Sequence, residues 1–221
     1  MDIEQARFNM IEQQIRTWDV LDQDVLGALA LVKREDFVPD AYRGMAFADV
    51  EIPLTIDGRA TGQTMLSPKV EARMLQAIGL RKHEAVLEVG TGSGYGTALL
   101  AQRSRRISSW ERDPALARFA AANLARAGIT DLQLQTGDAS QPPGSYSWDV
   151  IVLSGSVAQV PPHWLARLNA GGRLIAIVGD APTMHARLYH RNGSAPPVAT
   201  DLFETVAPRL AGFPAPERFR F

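Results

Sequence analysis

Cysteine is absent from this chain of 221 residues, which excludes disulfide bonds, thiolate zinc sites and cysteine nucleophiles. The chain also lacks an excess of either charge, since 23 basic and 24 acidic residues give a formal net charge of -1. A balanced surface provides no long-range field, so we expect neither nucleic acid nor a membrane as a partner. No apolar run reaches the roughly 18 residues that span a bilayer, and the N-terminus lacks the pattern of a signal peptide. These absences predict a cytoplasmic protein, and no motif predicts a metal site.

Hydrophobic residues make up 46% of the chain, which suits one domain over residues 1–221. Apolar spacing predicts a helix over residues 3–18 and a second one from Asp22. A third helix is predicted to begin at Ser67-Pro68 and to end at Gly79. Residues 52–58 are typical of a loop. Residues 1–80 are therefore interpreted as a helical cap that also carries a loop.

From residue 85 the pattern changes to strands that alternate with helical segments. Short apolar runs predict strands at residues 85–89, 106–110, 132–136, 149–153 and 173–178. This alternation predicts an α/β fold over residues 81–221, with a doubly wound and mostly parallel sheet. The less periodic segments 185–190 and 201–206 are predicted to add one or two antiparallel edge strands.

A glycine-rich turn, Gly90-Thr-Gly-Ser-Gly94, follows the first of these core strands. Ligands bind at the carboxyl ends of strands in such sheets, and glycine lets the backbone approach them closely. The spacing does not match the dinucleotide pattern, and Glu88 before the turn would repel a pyrophosphate. The same carboxylate would attract an ammonium or a sulfonium group, which favours S-adenosylmethionine over NAD. The alternative is a tight strand–helix connection that binds no ligand.

Two further acids follow the next core strands. Glu111 lies about 20 residues beyond Gly92, close to the spacing at which an acid binds ribose hydroxyls in this architecture. Asp138 follows the third core strand, where it could accept a hydrogen bond from an adenine amino group. A surface ion pair between Glu111 and Arg112, and an ordinary turn at Asp138, are the alternatives.

Several segments resemble the protein-L-isoaspartate O-methyltransferase family. The stretch from Val86 to Ala101 is similar to its first motif, and Val32–Pro39, Gly62–Thr64 and Val70–Leu75 are similar to its cap, substrate loop and following helix. Gly137-Asp138 and the segments 148–152 and 171–174 are similar to its later core motifs. The resemblance covers about residues 20–180 and identifies the chain as a divergent member.

The resemblance implies a monomeric cytoplasmic repair enzyme that methylates isoaspartyl residues of damaged proteins with S-adenosylmethionine. The cap of residues 1–80 then includes the substrate loop, defined here as residues 62–68. The predicted contacts to the cofactor are Glu88, Gly90, Thr91, Gly92, Ser93, Gly94, Glu111, Arg112, Asp138 and Ala139.

The substrate loop departs from the family pattern Gln-Thr-Ile-Ser-Gln-Pro, because this chain has Gln63-Thr-Met-Leu-Ser-Pro68. Leu66 therefore stands where the family has serine, and the hydroxyl moves to Ser67. Thr64 stays in register, so Thr64 and Ser67 are the predicted catalytic residues. The loop at 154–161 and the C-terminal segment from Phe203 to Phe221 also differ from the family.

These departures leave the methyl acceptor open between three hypotheses. The first is carboxyl methylation of isoaspartyl residues, which needs no general base because a carboxylate is ionised at neutral pH. The second is a methyltransferase of the same fold that acts on a small molecule or another protein group, and His163 becomes a candidate base if the acceptor is a hydroxyl. The third is a non-catalytic module that binds S-adenosylmethionine.

Overall fold

A computed structural model describes residues 2–142 and 144–214, so the predicted domain boundaries at residues 1 and 221 lie outside the described residues. The helices are α1 Ile3–Met10, α2 Gln23–Leu31, α3 Pro68–Ile78, α4 Tyr95–Ala101, α5 Pro114–Arg126 and α6 Pro162–Leu165. The strands are β1 Ile52–Ile56, β2 Arg59–Met65, β3 Ala85–Val89, β4 Arg106–Glu111, β5 Gln133–Thr136, β6 Trp148–Val157, β7 Leu168–Asp180, β8 Thr183–His190 and β9 Val198–Glu204. No helix within the two described ranges is long and apolar enough to cross a membrane.

The helices of the N-terminal cap form where capping residues and apolar spacing predict them. Helix α1 continues through a π-helical turn and a 3-10 turn as far as Trp18. The Asp22 side chain caps α2 by accepting hydrogen bonds from two backbone N–H groups. Helix α3 has proline in its first turn and ends at Gly79, whose φ of 57° is left-handed. The three helices predicted for the cap are thus confirmed.

The prediction of a loop at residues 52–58 is wrong, because β1 and β2 form an antiparallel hairpin there. Asp57 and Gly58 both have positive φ, at 51° and 76°, which is the backbone that a two-residue hairpin turn requires. Pro53 argues against a strand in the sequence, yet a two-stranded hairpin consists of edge strands, where proline is tolerated. Strand β2 carries the first half of the substrate loop.

The core is a seven-stranded sheet with the order β5-β4-β3-β6-β7-β8-β9. Strands β3 to β7 pair in parallel, and β8 and β9 add antiparallel pairs at one edge. The predicted α/β fold with a doubly wound, mostly parallel sheet is therefore confirmed, and so are the antiparallel edge strands. The strand order reverses at β3, so ligands are expected at the carboxyl ends of β3 and its neighbours.

Alternate residues of each central strand belong to different apolar clusters, as expected for the two faces of a sheet. One cluster contains Val86 and Val150 of the sheet together with buried residues of the cap. The other contains Leu87 and Ile151, and Trp164 is its largest fully buried side chain. The cap therefore packs on one face of the sheet and extends to the edge where the strands end.

Candidate active site

A cavity of about 530 Å³ lies at the carboxyl ends of β3 and β4. Its wall combines the glycine turn after β3, the end of β4, part of the substrate loop and two residues near the C-terminus. Ten residues were predicted from the sequence to contact the cofactor. Eight of them line this cavity: Glu88, Gly90, Thr91, Gly92, Ser93, Glu111, Arg112 and Ala139. The volume lies in the range of small-molecule sites.

The glycine turn shapes one wall of the cavity. Gly92 has a φ of 57°, and a Cβ at this position would lie 3.4 Å from Leu54 of the hairpin. Gly94 departs from the prediction, because it does not line the cavity within the described part of the chain. It has a φ of 86°, and a Cβ there would lie 3.2 Å from the Leu124 side chain of α5. Gly92 thus supplies the left-handed backbone of the turn, while Gly94 allows α5 to pack closely.

Glu88 is a buried carboxylate at the end of β3, with 1% of its surface exposed. Its oxygens accept hydrogen bonds from three hydroxyls: Thr97 at 2.5 Å, Ser109 at 2.7 Å and Ser154 at 2.9 Å. Burial raises the pKa of the Glu88 carboxyl, while these hydroxyl donors oppose the rise. Within residues 2–142 and 144–214, Glu88 forms no ion pair with a lysine or arginine. A cation bound beside it would therefore stabilise the charged form.

Glu111 has both carboxylate oxygens engaged with the backbone. One accepts the Gly92 N–H at 2.9 Å and the other accepts the Asp113 N–H at 2.9 Å. Burial raises the pKa of the Glu111 carboxyl, and the backbone donors oppose the rise. The alternative was an ion pair between Glu111 and Arg112. The Arg112 guanidinium lies instead 3.8 Å from the Asp138 carboxylate. Each oxygen of Glu111 retains a lone pair that a ligand hydroxyl could use.

Asp138 also departs from the prediction. Its neighbours Gly137 and Ala139 line the cavity, whereas Asp138 is not among the described residues that do so. Its carboxylate accepts the Ser140 N–H at 2.9 Å, which is the ordinary turn that the sequence left open as an alternative. That hydrogen bond lowers the pKa of the Asp138 carboxyl.

The substrate loop contributes Gln63, Thr64, Met65 and Leu66 to the cavity. Thr64 donates a hydrogen bond to Glu51 at 2.9 Å. Ser67 departs from its predicted catalytic role, because it is buried at the N-terminus of α3 and does not line the cavity in the described part of the chain. A one-residue step on extended backbone reverses the side chain, so Leu66 faces the cavity at the position where the family pattern has serine.

The sequence did not identify three contributors to the site. Arg34 and Glu71 form an ion pair with 3.0 Å between the guanidinium and the carboxylate, in which Arg34 is buried and Glu71 lines the cavity. Leu210 reaches the cavity from the C-terminal segment. Its N–H donates to the Ser156 carbonyl at 2.9 Å, and the Ser156 N–H donates to the Pro208 carbonyl at 2.8 Å. Arg34 lies in the charged run Lys33-Arg-Glu-Asp36, which gives no sign of burial, and all of these contacts join residues far apart in the chain. His163 contacts Ser140 instead of the cavity.

The residues of the cavity fit S-adenosylmethionine. The Glu88 carboxylate, which forms no ion pair with the described lysines and arginines, suits a positively charged amino-acid group, and Glu111 suits hydroxyls of a ribose. Trp110, Leu116 and Ala139 supply the apolar surface that an adenine ring requires.

A sequence model of the family described as Protein-L-isoaspartate(D-aspartate) O-methyltransferase matches residues 5–206. The chain is 38% identical over 174 residues to a protein-L-isoaspartate O-methyltransferase of Methanoculleus marisnigri, which covers 78% of this chain and 77% of the relative. It is 35% identical over 191 residues to that of Herpetosiphon aurantiacus, which covers 86% and 83%.

Two solved structures have the same fold. A protein-L-isoaspartate O-methyltransferase superposes with a TM-score of 0.80 at 24% identity over 95% of this chain, which spans 66% of that protein. A Plasmodium falciparum protein described as a member of the same enzyme class, in complex with S-adenosyl-L-homocysteine, gives a TM-score of 0.77 at 18% identity over 95% of this chain and 98% of that one.

Proposed function

Since the chain belongs to the protein-L-isoaspartate(D-aspartate) O-methyltransferase family, we propose that it methylates the free carboxylate of L-isoaspartyl residues in damaged proteins. Its cofactor is S-adenosylmethionine, which supplies an activated methyl group on a sulfonium. The observation that carries the proposal is that the glycine turn, Glu88 and Glu111 share one cavity with the substrate loop. The cofactor surface and the segment expected to bind the acceptor thus meet in one place.

The chain's part in this reaction is to bind, align and exclude water. A direct displacement depends on alignment more than on acid–base chemistry, and the acceptor carboxylate is already ionised at neutral pH. Glu88 would hold a cationic group of the cofactor, and Glu111, which fixes the glycine turn through the Gly92 N–H, would hold the ribose hydroxyls. Thr64 lies in the wall formed by the substrate loop and is the residue that we assign to orienting the acceptor.

A methyl-transfer assay with an isoaspartyl peptide and its normal aspartyl twin tests the proposal. We expect methylation of the isoaspartyl peptide alone, and binding of S-adenosylhomocysteine but not of NAD in calorimetry. If the wild-type chain binds S-adenosylhomocysteine but methylates neither peptide, the assignment of the isoaspartyl carboxylate as acceptor is wrong. Binding of NAD without any binding of S-adenosylhomocysteine would overturn the assignment of the cofactor as well.

Leu66 favours a second candidate, a methyltransferase of the same fold that acts on another acceptor. It presents an apolar side chain to the cavity where the family pattern has serine. The same assay separates the two candidates, because an acceptor other than the isoaspartyl carboxylate leaves both peptides unmethylated.

We also propose that the protein acts in the cytoplasm as a monomer and without nucleic acid. The balanced charge and the absence of cysteine support this environment. Size-exclusion chromatography with light scattering tests the oligomeric state, and a dimer would contradict the proposal.

A further inference from the structure

Arg34 is fully buried, with 0% of its side chain exposed, although a guanidinium is costly to bury. Each of its three nitrogens donates a hydrogen bond. Nε donates to the Ala46 carbonyl at 3.0 Å, Nη1 to the Glu71 carboxylate at 3.0 Å and Nη2 to the Leu66 carbonyl at 2.8 Å. The guanidinium also lies 4.9 Å from the centre of the Tyr95 ring. One side chain therefore joins four separate segments of the chain.

The bond to the Leu66 carbonyl fixes the end of the substrate loop. The ladder of the hairpin ends at the pair between Ile52 and Met65, so the ladder does not extend to Leu66. Helix α3 begins only at Pro68. Arg34 supplies a hydrogen bond in the interval between these two elements. The backbone that aims Leu66 at the cavity is thus held from behind by this guanidinium.

Three of the four partners of Arg34 also belong to the cavity wall. Glu71, Tyr95 and Leu66 all line it, whereas Arg34 itself does not among the described residues. A shift of the guanidinium would therefore reach the cavity through these three partners. It would reach the substrate loop first, because that contact is to backbone outside any ladder or helix.

We propose that Arg34 is a positioning residue that holds the end of the substrate loop against the cavity and so sets the affinity for the methyl acceptor. The role in acceptor binding rests on the proposed function. Binding of the cofactor depends instead on the glycine turn and on Glu88 and Glu111, which make no contact with Arg34. The variant Arg34→Lys keeps a positive charge beside Glu71 but cannot make all three hydrogen bonds.

Arg173 offers a matched control. Its guanidinium also bonds a glutamate, Glu84 at 2.8 Å, and two backbone carbonyls, those of Ile78 and Gly79. It lies at the opposite end of α3 and does not line the cavity in the described part of the chain. Arg173→Lys therefore makes the same arginine-to-lysine change at a site remote from the substrate loop.

The experiment compares both variants with the wild type by hydrogen–deuterium exchange over residues 62–68 and by kinetics with an isoaspartyl peptide. For Arg34→Lys we expect faster exchange in this segment without any ligand, and a KM for the peptide about tenfold higher. The affinity for S-adenosylhomocysteine is expected to stay within about twofold. Arg173→Lys is expected to change none of the three.

Equal exchange over residues 62–68 in the two lysine variants would overturn the proposal, and so would equal KM values. If the wild type does not methylate the peptide, the proposed function fails, whereas the exchange comparison still decides the role of Arg34. If Arg34→Lys does not fold, Glu71→Gln replaces it, because this change removes the charge that holds the guanidinium but keeps an acceptor. Unchanged exchange in that variant would overturn the proposal.

Discussion

Replacing Glu111 by alanine tests the assignment of the cofactor site most directly. The carboxylate accepts hydrogen bonds from two backbone N–H groups, at 2.9 Å each. Glu111 also lines the cavity, and the remaining lone pairs of its carboxylate are available to a ligand. Glu111→Ala removes any hydrogen bonds to ligand hydroxyls and also releases the Gly92 N–H that fixes the glycine turn. Both effects weaken the binding of S-adenosylhomocysteine.

A hydrogen bond to a charged group contributes about 1.5–3 kcal/mol, and about 1.4 kcal/mol corresponds to a factor of ten in affinity. Losing one such bond therefore weakens binding at least about tenfold, and losing two weakens it by about 100-fold or more. Part of this loss is offset, because burial of the carboxylate is itself unfavourable, as the raised pKa of Glu111 indicates. We expect a fall of about tenfold to 100-fold in the calorimetric affinity.

Glu84→Ala is the control. Glu84 is also buried, and it accepts a backbone N–H at 2.8 Å and the Arg173 guanidinium at 2.8 Å before β3 begins. Its loss is expected to lower the thermal midpoint without changing the affinity for S-adenosylhomocysteine. An unchanged affinity in Glu111→Ala, or an equal loss in Glu84→Ala, would refute the assignment of Glu111 to the ligand.

Three further predictions concern the loop, the turn and the buried ion pair. Leu66→Ser is expected to raise kcat/KM for an isoaspartyl peptide by up to about tenfold, since one hydrogen bond contributes about 0.5–1.5 kcal/mol; unchanged peptide kinetics would contradict this. Gly94→Ala is expected to destabilise the fold by about 1–3 kcal/mol in urea unfolding, because alanine is strained at a φ of 86°, and full stability would count against that reasoning. Burial raises the pKa of Glu71 to about 7, with Arg34 opposing and Glu88 adding to the rise. The folded state then binds this proton more tightly than the unfolded chain, so stability falls as pH rises from about 4.5 to 7, by up to about 3 kcal/mol. Glu71→Gln should remove that slope, and parallel stability curves for the two proteins would refute it.

Local patterns were sufficient for most of the secondary structure and for the strand-end residues that line the cavity. Capping residues and apolar spacing determine where α2 and α3 begin and end, because these signals act within one or two turns. The glycine turn and Glu88 could be assigned from the sequence because the carboxyl ends of parallel strands meet at one edge of a sheet. Glu111, at the end of β4, was predicted from its spacing to Gly92.

The hairpin at residues 52–65 shows where a local pattern is ambiguous. Pro53 lowers the expectation of a strand, and the turn at Asp57-Gly58 favours one. Proline is tolerated in a strand at the edge of a sheet, so the outcome depends on whether this strand lies at an edge. The position of a strand within a sheet cannot be read from the local sequence.

Tertiary structure alone decided which side chains reach the cavity. Ser67, Gly94 and Asp138 belong to the expected segments but do not line the cavity in the described part of the chain. Ser67 is buried at the start of α3, Gly94 packs against α5, and the Asp138 carboxylate accepts a hydrogen bond within a turn. Arg34 and Leu210 come from segments with no glycine turn or strand end to mark them. The physical reason is that hydrogen bonds and packing between residues far apart in the chain depend on the folded arrangement of all the elements. Periodicity and capping describe only neighbours along the backbone.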